Sequence, residues 1–179
     1  MEQLYMFAIM PPPELSDRIS NERKIFAAKY KCIKALKPPV HITLYPPFKE
    51  LPAFEERISN IASWVSEQER FTLALHNYGF FKTHTSPVVY IAVVRNPILS
   101  NFHKGFVAQL SNFMDAKDEG SYTPHFTIGY RDVPRDQLSK IESEYSQRTF
   151  SGSFEVQTAY LWRHDGKSWQ ILQEYKLGQ

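Results

Sequence analysis

The stretch PVHITL at residues 39–44 returns in the second half of the chain as PHFTI at residues 124–128. Both copies read histidine, apolar residue, threonine, apolar residue, and both histidines follow a proline closely. One copy lies in each half of the 179-residue chain. An internal repeat of this specificity is the best starting point for predicting the fold and the chemistry.

Each copy of the motif predicts a β-strand, because the side chains of a strand alternate between its two faces. The apolar residues of each copy would then face a core, and its histidine and threonine would share the opposite face. The same alternation adds Tyr45 to the first polar face and adds Gly129 and Arg131 to the second. Brought together, the two strands would form a concave site from the side chains of His41, Thr43, His125 and Thr127.

The segments around the motifs predict strands that cluster between helices. This order favours an α+β fold with largely antiparallel sheets over a doubly wound parallel sheet. Asn96 followed by Pro97 is a clear helix start. The predicted helices are residues 14–30, 54–67, 134–145 and one from Pro97, and the predicted strands are 4–10, 32–36, 40–45, 71–81, 88–94, 125–130, 150–156, 158–163 and 169–175.

Composition bounds the class of protein. With 42% hydrophobic residues, the chain can bury a core, and its length predicts a single domain over residues 1–179 with one motif in each of two lobes. Cys32 is the single cysteine, which excludes an internal disulfide framework, and no apolar stretch is long enough to span a bilayer. These features predict a cytoplasmic protein without a membrane partner.

The net charge of +2 is too small to argue for wrapping of duplex DNA. Four lysines fall within residues 29–37. They fit an exposed edge strand protected by lysines, and, as the alternative, a basic patch that steers a phosphate-bearing ligand.

Two histidines in one cleft favour acid–base chemistry on a single reacting atom, because each titrates near neutral pH. The two threonine hydroxyls and Arg131 could bind the non-bridging oxygens of a phosphodiester. No phosphate-binding glycine loop or metal-ligand spacing is present in the sequence, so the pattern indicates phosphodiester chemistry without a metal or other cofactor. The alternatives are a non-catalytic nucleotide- or RNA-binding module, a metallohydrolase, and histidines with a purely structural role.

The paired His-x-Thr motifs, one in each half of a chain of this length, resemble those of the 2H phosphoesterase superfamily, and within it those of the 2'-5' RNA ligase and cyclic phosphodiesterase group. The resemblance implies two lobes related by a pseudo-twofold axis, with antiparallel sheets lining a central cleft and helices outside. It implies that His41 and His125 are the catalytic pair and that Thr43 and Thr127 bind phosphate. It also implies opening of 2',3'-cyclic phosphates on RNA ends or small nucleotides, commonly to 2'-phosphates, and some members of the family join RNA ends through a 2'-5' linkage. No obligate protein partner is evident from the sequence.

Three aromatic residues lie near predicted strand ends and could stack on a substrate base. They are Tyr45, Phe80 and Phe81. The sequence leaves open the natural substrate, hydrolysis against 2'-5' ligation, the oligomeric state, and which histidine is the base.

Overall fold

Two four-stranded antiparallel sheets form the fold in the computed structural model, which describes residues 3–49, 54–83, 86–111 and 122–178. The strands are β1 (Leu4–Ile9), β2 (Ile42–Lys49), β3 (Phe71–Phe81), β4 (Val88–Val93), β5 (His125–Gly129), β6 (Ser151–Val156), β7 (Thr158–His164) and β8 (Trp169–Lys176). The α-helices in the described ranges are α1 (Pro13–Tyr30), α2 (Phe54–Ser66), α3 (Pro97–Ser111) and α4 (Leu138–Tyr145). The first sheet has the order β2-β1-β7-β8 and the second the order β5-β4-β3-β6. The predicted α+β class with antiparallel sheets is confirmed.

In each sheet, a helix connects one pair of neighbouring antiparallel strands. β1-α1-β2 and β4-α3-β5 each join two neighbouring antiparallel strands through a helix, and the second strand of each unit lies at the edge of its sheet. The two motifs are found at the start of β2 and in β5. The internal repeat of the sequence therefore corresponds to equivalent edge strands of two related lobes.

The helices of these two units pack across the lobes and join the sheets. From α1, the ring of Phe26 lies so close to Gly129 of β5 that a Cβ atom there would come within 2.4 Å of it. From α3, Phe106 meets the ring of Phe7 in β1 edge-on, with 5.0 Å between centroids. One hydrophobic core consequently contains side chains of both sheets, and this packing fixes the two motif strands relative to each other.

The strand predicted at residues 32–36 is wrong. This segment contains a short 3-10 helix, Lys34–Leu36, after Lys31 adopts a left-handed backbone with φ 59°. The carboxylate of Asp132 accepts hydrogen bonds from the backbone N–H groups of Ile33 and Lys34, at 2.8 and 2.9 Å. These amides are thus bound by a distant side chain and not by a neighbouring strand. The interpretation of the lysines as protection for an edge strand in this segment is wrong as well.

The first motif strand is longer than predicted. β2 continues through Pro46 and Pro47 to Lys49, although the two prolines had marked its end. Proline cannot donate to a strand ladder, but an edge strand has one side without a partner and tolerates it. Beyond the prolines, Phe48 pairs with Tyr5 and stacks on the ring of Phe7.

The helix starts follow local rules in two different ways. Asn96 caps α3 as predicted, since its Oδ1 accepts hydrogen bonds from the backbone N–H groups of Ile98 and Leu99. The helix predicted from Pro134 begins instead as a 3-10 turn, Arg135–Gln137, which leads directly into α4. None of the described helices has the length and apolar character needed to cross a membrane.

Candidate active site

The two motif histidines are held in the same way. Nδ1 of His41 lies 2.8 Å from the carbonyl oxygen of Pro39, and Nδ1 of His125 lies 2.7 Å from that of Thr123. A carbonyl can only accept, so each Nδ1 carries a hydrogen, and Nε2 of the neutral ring then holds a lone pair. Both imidazoles are therefore fixed by the chain two residues before them, with Nε2 as the nitrogen available for proton transfer.

Both imidazoles are half-buried against aromatic rings. His41 meets Trp162 of β7 edge-on, with 4.9 Å between centroids. His125 meets Phe81 edge-on at 5.0 Å and Tyr90 at 4.9 Å. Loss of solvent disfavours the imidazolium form, so burial lowers the pKa of His41 to about 4 and also lowers the pKa of His125.

The two histidines lie within electrostatic reach of each other. Positive charge on His125 lowers the pKa of His41, as does the charge of Arg23 in α1. These groups come from α1, from the loop before β2 and from β5, so the fold has brought three distant parts of the chain together.

The threonines lie where strand alternation predicted them. Thr43 is half-buried and pairs with Ala8 of β1, while Thr127 is half-buried and pairs with Tyr90 of β4. The apolar neighbours of the two threonines are fully buried in the core: Ile42, Leu44, Phe126 and Ile128. Each motif therefore presents its threonine on the face opposite the core.

Two side chains that the sequence did not single out connect the motifs. Arg23 donates from Nε to the carbonyl oxygen of Thr127 and from Nη1 to that of Pro38, both at 2.9 Å. Tyr122 donates its hydroxyl hydrogen to the carbonyl oxygen of Thr43 at 3.1 Å. Its ring stacks on the buried His103 of α3, with 3.6 Å between centroids. A group from each half of the chain thus binds the motif of the other half.

Arg23 left a signal in the sequence. It occupies a buried position on the otherwise apolar side of α1, between Ile19 and Phe26. A charged residue at a core position of a helix needs a polar partner inside the protein, because burying an unpaired charge costs free energy. Tyr122 left no comparable signal, because it precedes β5 in a segment without helical or strand periodicity.

The predicted aromatic residues are placed differently from one another. Phe81 contacts His125 and also Tyr90, at 4.5 Å from the latter ring. Phe80 packs against the main core. A register shift in β2 sets Tyr45 opposite Phe7, whose side chain is in the core, so alternation no longer assigns Tyr45 to the face of the motif.

Arg131 is not on the polar face of β5 on which strand alternation predicted it. β5 ends at Gly129, and Arg131 has a left-handed backbone with φ 65°. Its exposed guanidinium lies over the ring of Tyr130, 4.7 Å from the centroid. The structure therefore brings together the histidines, the threonines and Phe81, and it places Arg131 on the surface after the strand.

The motif-bearing face of the first sheet is apolar beyond His41. Met6, Ala8 and the fully buried Trp162 form a small cluster there, separate from the main core. The partly buried side chains against it are Met10, Tyr160 and Trp169. The ring of His41 contacts Trp162, so the aromatic cluster is continuous with the histidine site.

No group of three or more histidine, cysteine, aspartate or glutamate side chains suited to a metal ion occurs among the described residues. The polar groups that the fold gathers are two imidazoles, two hydroxyls and one guanidinium. This set can transfer protons and bind an anion.

The fold of the chain is similar to that of several solved proteins over nearly its whole length. Escherichia coli LigT complexed with 3'-AMP superposes with a TM-score of 0.72 at 19% identity, covering 100% of both chains. The protein TT0787 of Thermus thermophilus superposes with a TM-score of 0.72 at 16% identity, covering 98% of this chain and 99% of the other. A third structure, described as a phosphoesterase, gives a TM-score of 0.67 at 17% identity, with 100% of both chains covered.

A family model identifies the family of the chain, whereas no individual curated protein matches it by sequence. The family model of the 2'-5' RNA ligase superfamily matches residues 11–168, which include both motifs and all the strands of the two sheets except β1 and β8 at the ends. The chain belongs to the 2'-5' RNA ligase superfamily, as its resemblance to the 2H phosphoesterases predicted.

Proposed function

We propose that this protein is a metal-independent phosphodiesterase that opens 2',3'-cyclic phosphates of RNA ends or small nucleotides. Membership of the 2'-5' RNA ligase superfamily supports the reaction class. A nucleotide ligand is supported by the related E. coli LigT, which has been solved in complex with 3'-AMP.

The observation that carries the proposal is the matched hydrogen bonding of the two imidazoles. Each Nδ1 is bound to a backbone carbonyl, at 2.8 Å for His41 and 2.7 Å for His125, which leaves both Nε2 atoms for proton transfer. A histidine with a purely structural role does not need a second histidine of the same tautomer nearby. A general base and a general acid that act on one phosphorus atom do need two such histidines.

The reaction proceeds as an in-line displacement. Nε2 of the neutral histidine removes a proton from a water molecule as the water oxygen forms a bond to phosphorus. The bond between phosphorus and one ribose oxygen breaks, and Nε2 of the protonated histidine donates its proton to that oxygen. Breaking the bond to O3' yields a 2'-phosphate, and the two histidines end with their protonation states exchanged.

The threonines and the apolar face supply binding. Hydroxyls of Thr43 and Thr127 donate to the non-bridging phosphate oxygens, whose charge changes during the displacement. Phe81 beside His125, and the half-buried Trp169 that packs against Trp162 beside His41, provide flat surfaces on which a base can stack.

Joining of RNA ends is the second candidate activity, and the family description favours it. The chemistry is the same displacement with a 5'-hydroxyl in place of water. The product would then be a 2'-5' phosphodiester.

The test is product analysis with a panel of 2',3'-cyclic nucleotides in the presence of EDTA. We expect 2'-phosphates from the wild-type protein and from His76→Ala, a control that removes an exposed histidine of β3. His41→Ala and His125→Ala should give almost none. Nucleotide binding without turnover would overturn the proposal in favour of a binding module, and loss of activity in EDTA would favour a metallohydrolase.

A further inference from the structure

Arg23 has the most unusual environment of any charged residue described. Its side chain is 3% exposed, although it lies on a helix that faces both solvent and core. Two of its nitrogens donate to the backbone carbonyls of Thr127 and Pro38. The third, Nη2, is buried without a hydrogen-bond partner among the described residues.

No described carboxylate forms an ion pair with Arg23. Within the described residues, ion pairs join Lys29 to Glu144, Lys82 to Glu142 and Arg148 to Glu22. Burial lowers the pKa of Arg23 to about 10, so the guanidinium remains cationic at neutral pH. A buried cation without a counter-ion costs free energy, and an anion that arrives later can recover that cost.

Of the two carbonyls that Arg23 binds, one belongs to the second motif and the other to Pro38, the residue directly before the first motif. Thr127 is the threonine of the second motif, and Pro38 precedes Pro39, whose carbonyl orients His41. A single planar guanidinium therefore sets the distance between the loop that carries His41 and the strand that carries Thr127. A lysine at this position has no fork with which to bind both carbonyls in one plane.

We propose that Arg23 is a positioning residue of the candidate site, which holds the two motifs together and supplies the buried positive charge that a bound phosphate group neutralises. This inference rests on the proposed phosphate site between the motifs. It adds to that site a residue from α1 that lies outside both motifs.

The charge of Arg23 also acts on His41. The charged or titratable groups that act on this imidazole are Arg23 from α1 and His125 from β5, and both lower its pKa. The hydrogen bond to the Pro39 carbonyl opposes them, and Trp162 is neutral. Removing the charge of Arg23 should therefore raise the pKa of His41.

The test compares Arg23→Met, Arg23→Lys and a matched control, Arg18→Met. Arg18 lies on the same helix and also donates to a distant backbone carbonyl, that of Ser151, but it is exposed. NMR titration of the histidine rings without substrate gives the pKa of His41, and titration with inorganic phosphate gives its affinity. Neither measurement depends on turnover.

In Arg23→Met we expect the pKa of His41 to rise by about one pH unit and the affinity for phosphate to fall about tenfold. Arg23→Lys should keep the pKa of His41 and most of the phosphate affinity, because it keeps the charge, but it should lower kcat, because the fork is lost. Arg18→Met should match the wild-type protein in all three quantities. An unchanged pKa and an unchanged phosphate affinity in Arg23→Met would overturn the inference.

A measurement on the wild-type protein covers the case in which Arg23→Met does not fold. The side-chain ¹⁵N signals of Arg23 should shift as inorganic phosphate saturates the protein, while those of Arg18 stay in place. Phosphate saturation without movement of the Arg23 signals would also overturn the inference. A shift in a protein that hydrolyses no cyclic nucleotide would keep the role of Arg23 and reject the proposed activity, so the two failures are distinguishable.

Discussion

The two motif regions share a backbone arrangement and differ in charge. Each imidazole donates from Nδ1 to the carbonyl two residues earlier and lies edge-on to an aromatic ring. The carbonyl of Thr127, however, is bound by the cationic Arg23, whereas that of Thr43 is bound by the neutral Tyr122. The repeat thus fixes two equivalent imidazoles, and residues outside the repeat make their electrostatic surroundings unequal.

For the proposed reaction, this inequality predicts different roles for the two histidines. Burial, with the charges of Arg23 and His125 added to it, lowers the pKa of His41 to about 4, so this ring is neutral near pH 7. Burial lowers the pKa of His125, but no neighbouring cation adds to the effect among the described residues. Since a general base must be neutral and a general acid protonated, we expect His41 to be the base and His125 the acid.

Removing either imidazole should have the largest effect. His41→Ala and His125→Ala should each lower kcat for a 2',3'-cyclic nucleotide by roughly two to four orders of magnitude, the usual contribution of a positioned acid or base. The double variant should lose much less than the product of the two effects, since the pair acts as one unit. Steady-state kinetics, with His76→Ala as the control, checks this. Full activity in the double variant would contradict the two-histidine mechanism.

A substrate with a better leaving group separates the two roles. A nucleoside p-nitrophenyl phosphodiester releases its phenolate without protonation, so it does not need the general acid. We expect His125→Ala to recover about a hundredfold of its loss on this substrate, and His41→Ala to recover little. Release of p-nitrophenolate measures both. Recovery in His41→Ala in place of His125→Ala would reverse the assignment.

The pH dependence of kcat/KM tests the same inequality in the free enzyme. Activity should rise with pH as the base, His41, loses its proton near its pKa of about 4. It should fall as His125 loses its proton, and because the pKa of His125 is lowered, this limb begins below pH 6.5. At pH values above the pKa of His125, kcat/KM should fall about tenfold per pH unit. A maximum on the alkaline side of neutrality would contradict these protonation states.

Local sequence rules predicted the parts of the site that depend on neighbours along the chain. Strand alternation placed Thr43 and Thr127 on the polar face, and the Asn96 cap fixed the start of α3. The failures come from partners far away in sequence. Asp132 binds the amides that would have made a strand near Ile33. A register shift in the pairing of β2 with β1 sets Tyr45 opposite Phe7.

The residues that make the two motif regions unequal could not be predicted for the same reason. Arg23 was visible as a charge on the apolar side of a helix, but its partner Thr127 is distant in sequence. Trp162 meets His41 only because β7 pairs with β1 in the first sheet. Strand order is not encoded in local periodicity, so neither contact follows from the pattern of either segment alone.

The smallest expected effect concerns the base of the substrate and the two aromatic surfaces. Trp169 is half-buried beside Trp162 on the side of His41, whereas Phe81 is half-buried on the side of His125. If the base stacks on the first surface, Trp169→Leu should raise KM for a cyclic nucleotide about fivefold, which corresponds to about 1 kcal/mol for one aromatic stack. Phe81→Leu should leave KM nearly unchanged.

Ribose 2',3'-cyclic phosphate, which has no base, is the control substrate, and on it Trp169→Leu should match the wild-type protein. If Trp169→Leu raised KM equally for both substrates, Trp169 would support the fold of the sheet and would not stack on the base. If only Phe81→Leu raised KM, and only for the nucleotide, the base would lie beside His125.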